Sequence, residues 1–436
     1  MGARMVNRVL MIAYHYPPMR GSSGIQRTLK FSQYLPGVGW EPVVLSAHPR
    51  AYANSGPDQL GDIPAGTVVK RAFALDTSRH LAWRGRYLGA LALPDRWVSW
   101  LLGAVPAGLG LIRRHKPAVI WSTYPIATAH LVGLTLHRLT GIPWVIDLRD
   151  PMTDEGYPED PRTRRTYLWI EKLALRHCTR AVCTTPGAIA TYRRRFPELP
   201  AERFSLIENG YDEENFADAE QAASNATSNS RFTLVHSGVI YPSERDPRPL
   251  FAAVAELAAQ GVIAPANFEL VLRATGHDGY LAGLIAELGI AALVTLAPHV
   301  SYREALTEMV TAGGLLILQA SNCNHQVPAK LYEYLRAGRP VLALTDPVGD
   351  TAATLRKAGI DTIAPLDDKD AIVTALQRFL ALAKAGSAPL ASQAAVAANS
   401  RRARAGQLGA LLDNIVAAGG IAARTPNPIS RRDAND

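Results

Sequence analysis

The densest chemistry in the chain lies in Gln326–Leu344, QVPAKLYEYLRAGRPVLAL. Pro328 opens a short helix, Gly338 stops it, and the apolar run Pro340–Leu344 follows as a strand. Lys330 and Glu333 are three apart and share one face near the helix start. An ammonium beside free helix N–H groups suits a diphosphate, and a carboxylate one turn on suits the paired hydroxyls of a ribose. The bland alternative is a surface Lys–Glu pair. A second segment, Tyr14–Gly24 (YHYPPMRGSSG), ends in Gly21-Ser22-Ser23-Gly24 just ahead of a helix. Such glycines either let backbone N–H groups approach an anion or serve a structural turn; the pattern is neither GxGxxG nor a Walker loop. Asn209-Gly210 is a turn dipeptide. His130 stands after a strand, at a helix start. Asp147, Arg149 and Asp150 end another strand, where they either orient substrate hydroxyls or shape their loop as an ion pair. His15 and His236 also stand at strand ends.

These residues need elements to position them, and the chain alternates short β-type runs with helical ones. Strands are expected at Arg8–Tyr14, Pro42–Ser46, Ala118–Ser122, Trp144–Leu148, Ala181–Thr184 and Ser205–Ile207, with helices such as Gln26–Leu35, Ala127–Thr140 and Arg164–His177 between them. Asp218–Ser230 is small, polar and aperiodic and reads as a linker. A second series follows. Its strands are Phe232–His236, Phe268–Arg273, Leu293–Leu296, Leu315–Leu318, Pro340–Leu344 and Asp361–Ala364. Its helices include Arg248–Ala259, Tyr280–Leu288, Tyr302–Ala312, Ala329–Ala337 and Asp370–Ala385. Strand–helix alternation predicts two doubly wound α/β domains, 1–217 and 231–390, with a linker at 218–230. A helical segment spans 391–423, and 424–436 is expected to be a disordered tail. Ligands of such folds sit beyond the carboxyl ends of the strands, so a cleft between facing domains is the expected site.

The 436 residues are 48% hydrophobic and 19% charged, which excludes a disordered, collagenous or coiled-coil chain. Three scattered cysteines (Cys178, Cys183, Cys323) exclude a disulfide framework and speak against a cysteine zinc site, pointing to a reducing, cytoplasmic compartment. The net charge of +8 favours anionic partners. Ten cations crowd the stretch Arg162–Arg203. The apolar run after the N-terminus is too short for a signal peptide and reads as the first strand. Trp97–Ile112 is uncharged but falls short of the ~20 residues of a membrane span; it is expected as a buried helix, with membrane-surface contact as the alternative.

Taken in order, several segments resemble the group 1 (family 4) retaining glycosyltransferases of GT-B fold, in their bacterial surface-polysaccharide branch. YHYPPMRGSSGIQR resembles the opening of that family's acceptor domain. WVIDLRDPMTD resembles its Pro-Trp-Val-x-Asp-x-Arg-Asp segment, and IENGYDEENF its turn before the donor domain. HSGVIYPSERDPRPLFAAV resembles the donor domain's first strand, loop and helix, and VPAKLYEYLRAGRPVLAL its donor-site helix. The likeness runs from about Arg8 to about Leu382.

The resemblance implies two Rossmann-like domains facing across a cleft. The C-terminal one would hold a nucleotide-diphosphate sugar and the N-terminal one a glycan or lipid-linked acceptor. Glu333 falls on the glutamate that holds the ribose. Arg245 falls where the family places a cation on the diphosphate, with Lys330 assisting. Gly24, Gly238, His299, His325, Val327, Pro328 and Leu331 complete the implied donor set, and Asp147, Arg149 and Asp150 the acceptor set. His130 is implied to touch the donor sugar or the acceptor. One departure stands out: where the family often has a glutamate eight positions before Glu333, this chain has His325. The resemblance also implies no metal or other cofactor, no nucleic acid, and a place in the cytoplasm, at the inner face of an anionic membrane when the acceptor is a lipid. A GT-B-like sugar-nucleotide epimerase and a non-catalytic nucleotide-sugar binder are the alternatives.

Overall fold

A computed structural model of the chain describes residues 6–21, 24–57, 59–154, 157–223 and 231–422. The expected tail 424–436, most of the expected linker, and Ser22 and Ser23 lie outside the described residues. Two compact units emerge. The first comprises the described residues up to Cys183, Phe196–Ile207, and those from Ala405 onward; the second comprises Thr184–Arg195 and Glu208–Arg404.

The first unit begins with β1 (Asn7–Ile12), α1 (Gly24–Tyr34), β2 (Trp40–Ala47), β3 (Val68–Ala72), α2 (Thr77–His80) and α3 (Trp100–His115). It continues through β4 (Val119–Thr123), α4 (Thr128–Thr140), β5 (Trp144–Arg149), α5 (Pro161–His177) and β6 (Arg180–Cys183). Helix α6 (Pro186–Arg195) belongs to the second unit, and β7 (Phe204–Leu206) completes the first sheet. That sheet is parallel, in the order β3-β2-β1-β4-β5-β6-β7. Strand alternation sends Val9, Met11, Val44, Trp121, Val145 and Val182 to one face, against Ile25 and Leu29 from α1 and Leu35 just after it. Helices α3, α4 and α5 take positions beside strands β1 to β5.

The second unit runs through α7 (Glu213–Ala223), β8 (Phe232–Ser237), α8 (Arg248–Ala259), β9 (Phe268–Arg273), α9 (Asp278–Glu287), β10 (Val294–Ala297) and α10 (Tyr302–Thr311). Then come β11 (Gly314–Leu318), α11 (Ala329–Ala337), β12 (Val341–Leu344), α12 (Asp350–Ala358), β13 (Ile363–Ala364), α13 (Lys369–Lys384) and α14 (Gln393–Ala398). Its sheet is also parallel, ordered β10-β9-β8-β11-β12-β13. The last helix, α15 (Arg401–Ala422), starts in the second unit and ends in the first, where Ala405, Leu408, Leu412 and Ile415 join the core and Asp413 accepts from the Trp40 indole at 2.9 Å.

Three expectations need correcting. The edge strand β3 was not foreseen, because VVKRA is half polar and unburied on one side. The linker expected to begin at Asp218 is helical up to Ala223. Phe216 and Ala219 are buried in the second core, and the Arg336 guanidinium holds both Glu213 and Glu220. The basic stretch Arg162–Arg203 is divided between the units, since Arg193, Arg194 and Arg195 lie on α6.

Candidate functional site

In each sheet the strand order reverses between two neighbours: β1 and β4 in the first, β8 and β11 in the second. The loops leaving the carboxyl ends of such a pair diverge and leave a crevice for a ligand. In the second unit these loops carry the residues singled out by type and spacing. Strand β8 ends at Ser237, whose N–H donates to the buried Tyr334 hydroxyl at 3.1 Å. Gly238 follows at φ +121°, a conformation L side chains rarely adopt. A Cβ there would lie 2.7 Å from the Lys330 ammonium, so only glycine lets Lys330 lie across this loop.

Lys330 stands in the first turn of α11, behind Pro328. Its Nζ donates to His236 Nε2 at 3.3 Å. The other ring nitrogen, Nδ1, donates to the Leu316 carbonyl at 2.9 Å, which fixes a neutral tautomer with a lone pair on Nε2. Burial, then the Lys330 charge, holds His236 well below the ordinary imidazole range. Desolvation, then the Arg245 charge, brings Lys330 down to about 7. The site therefore holds a lysine short of negative charge. Arg245 approaches over the Tyr241 ring, 5.6 Å from its centroid, and donates to the Val239 carbonyl. One turn beyond Lys330, Glu333 accepts the Tyr302 hydroxyl on Oε1 at 2.7 Å, and Oε2 has no protein partner among the described residues. Burial raises the Glu333 carboxyl above its usual range.

The remaining expected donor residues divide. His299 lies exposed in the loop after β10. Leu331 is fully buried in the core and Val327 packs against it, so their side chains do not face a ligand. His325, at the family's glutamate position, is closed over. Its carbonyl accepts the Thr185 hydroxyl at 2.6 Å, and Gly187 abuts its Cα and Cβ. Gly187 N–H in turn donates to Asp350 at 2.7 Å, so the start of α6 covers the loop before α11. Gln319 is buried and braces that loop by donating to the Cys323 and Gln326 carbonyls at 2.9 and 3.0 Å. Sequence reasoning missed it; a polar residue closing an apolar strand was the available signal. Asp368 caps α13 by accepting the Ala371 N–H at 2.9 Å.

In the first unit Asp147 is wholly buried. Arg27 grips it through Nε and Nη2 at 2.9 and 2.8 Å and donates on to the Ile207 carbonyl, while Thr123 adds a bond at 2.8 Å. The carboxylate thus ties α1 to β4, β5 and the end of β7 rather than facing an acceptor. Arg27 is the partner sequence reasoning missed. His130 is also closed off, 1% exposed; its Nδ1 meets Ser122 Oγ at 2.9 Å and burial lowers it to about 4. It lies within the unit, between α4 and the sheet, instead of projecting from a loop. Asp95, not foreseen, anchors the start of α4 by accepting the Thr128 N–H and hydroxyl, each at 2.9 Å. Arg149, at φ +56°, and His15 both lie at carboxyl ends of strands; burial, then the Arg149 charge, lowers His15 to about 4. Asp150 follows at the mouth of β5. Gly24 opens α1.

Residues 24–210 match the family of the glycosyl transferase 4-like domain. No curated protein sequence matches the chain. Among solved structures, the sucrose-phosphate synthase of Thermosynechococcus elongatus is 19% identical, with 94% of this chain and 100% of that one covered at a TM-score of 0.64. The Anabaena protein HepE, solved in complex with UDP-glucose, is 14% identical over 95% of this chain and 99% of that one, at 0.58. The trehalose 6-phosphate synthase of Burkholderia multivorans is 12% identical over 98% and 100%, at 0.64. The chain therefore has the GT-B fold, and its residues 24–210 are similar to a glycosyl transferase 4-like domain.

Proposed function

We propose that the chain is a glycosyltransferase that moves a sugar from a nucleotide-diphosphate donor to a glycan or lipid-linked acceptor, with retention, in cell-surface polysaccharide synthesis. One observation carries the reading. At the switch point of the second sheet, Lys330, short of negative charge, lies beside Arg245 and the first N–H groups of α11, with the open Glu333 Oε2 one turn away. That set matches a diphosphate followed by a ribose. A UDP-glucose complex of a protein of similar fold supports the same ligand class.

Glycosyl transfer breaks the bond from C1 to the diphosphate oxygen while positive charge builds on the sugar ring. The electron pair leaves with the diphosphate, so fixed cations at that oxygen lower the barrier without reorganising. Arg245 and Lys330 supply the cations. Glu333, steadied by Tyr302, orients the ribose. An acceptor meets the first unit at the strand ends that carry His15, Arg149 and Asp150.

A turnover assay with a panel of nucleotide-sugars tests this. Nucleotide release that requires an added acceptor supports transfer. Interconversion of the sugar without acceptor indicates an epimerase, and binding without turnover a sensor.

A further inference from the structure

The second unit has a cavity that sugar transfer does not use, at the amino ends of its strands. Its volume is about 880 Å³, a size that suits a small-molecule ligand. Phe232 and Phe268, the first residues of β8 and β9, line it together with Gly313, just ahead of β11. Bare backbone at that point keeps the space open. A Cβ on Gly313 would lie 2.9 Å from the Phe232 ring, and one on Gly314 2.7 Å from Phe379. Without those methyl groups the two rings meet edge to face, 6.0 Å between centroids. The donor crevice lies at the other end of the same strands. The six residues of β8 alone set the two places roughly 17 Å apart.

One wall of the cavity is apolar. Ile263 is buried in the core of this unit, and Phe232, Val262 and Leu380 pack against that core while bordering the cavity. The rest of the border is rich in hydrogen-bond donors. Arg339 follows Gly338, where α11 stops, and its Nε donates to the Val310 carbonyl at 2.7 Å. Lys384 is the last residue of α13. Among the described residues neither cation has a carboxylate partner. Asn267 accepts the Ala264 N–H on Oδ1 at 2.8 Å, which leaves its Nδ2 to donate. The other charged side chains of the border are already paired. Arg273 holds Glu308 through Nε and Nη2 at 2.5 and 2.6 Å, and Arg231 is bound to Glu269 at 2.7 Å. Two uncompensated positive charges therefore stand beside an apolar wall.

We propose that this cavity is a second ligand site and takes a small organic anion, an apolar body carrying a phosphate or a carboxylate. The body lies on Phe232, Val262 and Leu380 and leaves water there. The anionic group receives charge-assisted hydrogen bonds from Arg339 and Lys384, with Asn267 Nδ2 as a further donor. An inorganic anion would leave the apolar wall wet, and a neutral apolar molecule would leave the two cations unanswered. Substrates of doubly wound sheets bind beyond the carboxyl ends of the strands, so the sugar donor is not the occupant of a cavity at the amino ends. None of the donor-site residues takes part, so transfer and this second site stand or fall separately.

The test is a fluorescence titration of the full chain with anilinonaphthalene sulfonate, a probe that joins an apolar ring system to one anionic group. Saturable one-to-one binding to the folded protein is expected, unchanged by saturating UDP. Phenyl phosphate or 3-phenylpropionate should displace the probe, and the stronger of the two tells phosphate from carboxylate. Inorganic phosphate and benzyl alcohol at the same concentration should not. Lys384→Glu reverses one cation, and Thr311→Trp puts a ring into the cavity from the end of α10. Each should lower the probe's affinity at least about tenfold while keeping the wild-type melting temperature. Wild-type affinity in both folded variants overturns the proposal, as does the absence of saturable binding. Displacement by UDP would place the probe in the donor crevice, and displacement by benzyl alcohol as readily as by the two anions would leave the cations without a role; either result also overturns it.

Discussion

Lys330 decides the terms on which the second unit meets an anion. With no carboxylate bonded to it among the described residues and a neutral imidazole at 3.3 Å, its ammonium is weakly compensated, and burial and the Arg245 charge lower it to about 7. A bound diphosphate favours the charged form, so affinity and pH are linked. Affinity for UDP is expected to fall about tenfold between pH 6.5 and 8.5, as the site loses its proton. In the empty protein the sign is opposite. The unfolded chain keeps the lysine proton up to 10.5, the folded one only to about 7, so this group adds stability as pH rises between those values. Calorimetric titration at the two pH values reads the first effect, and Lys330→Met should flatten it. Arg245→Ala should lower kcat by about 10²–10³ with the fold intact, the usual cost of one donor at a developing negative charge; a change confined to KM would remove Arg245 from the chemistry. Lys330 and Glu333 were legible because both lie on one helical turn, where spacing alone gives the shared face. The closing of His325 under α6 was not legible, because Thr185, Gly187 and Asp350 come to it from far along the chain.

At the scale of elements, those most easily read were the ones with continuous or periodic apolar runs. Phe268–Arg273, Arg248–Ala259 and Ala329–Ala337 appear with the expected bounds, since apolar periodicity and Pro or Gly punctuation agree there. The half-polar β3 and the small-residue α7 were missed, because tertiary contacts define them rather than local preference. Asp147 shows the same division. Its place at a strand end was evident, while its partner Arg27 lies 120 residues earlier. Such a buried pair costs much to break and little to replace whole. Arg27→Met is expected to destabilise the first unit by about 3–5 kcal/mol, with part of the loss regained in Arg27→Met with Asp147→Leu. Urea denaturation of the three proteins decides it, and a double variant no better than the single would deny the pairing.

For the whole molecule, the alternation of strands and helices made two doubly wound halves legible, but not the paths between them. The chain contributes α6 to the second unit and returns to the first at Ala405. The last helix is therefore part of the first core. Ending the chain at Arg404 removes Leu408, Leu412 and Ile415 from it and leaves the Trp40 indole without Asp413. The truncated protein should lose about 5 kcal/mol or more, visible as proteolysis within the first unit, whereas an unaffected melting curve would make α15 an appendage. The assignment of a diphosphate to Lys330 and Arg245 is put to the test by UDP affinity measured by calorimetry at pH 6.5. Losses of at least about tenfold are expected for Lys330→Met and for Arg245→Ala in folded protein. Wild-type affinity in both variants, or no UDP binding by the wild type with other nucleoside diphosphates equally inert, would contradict it.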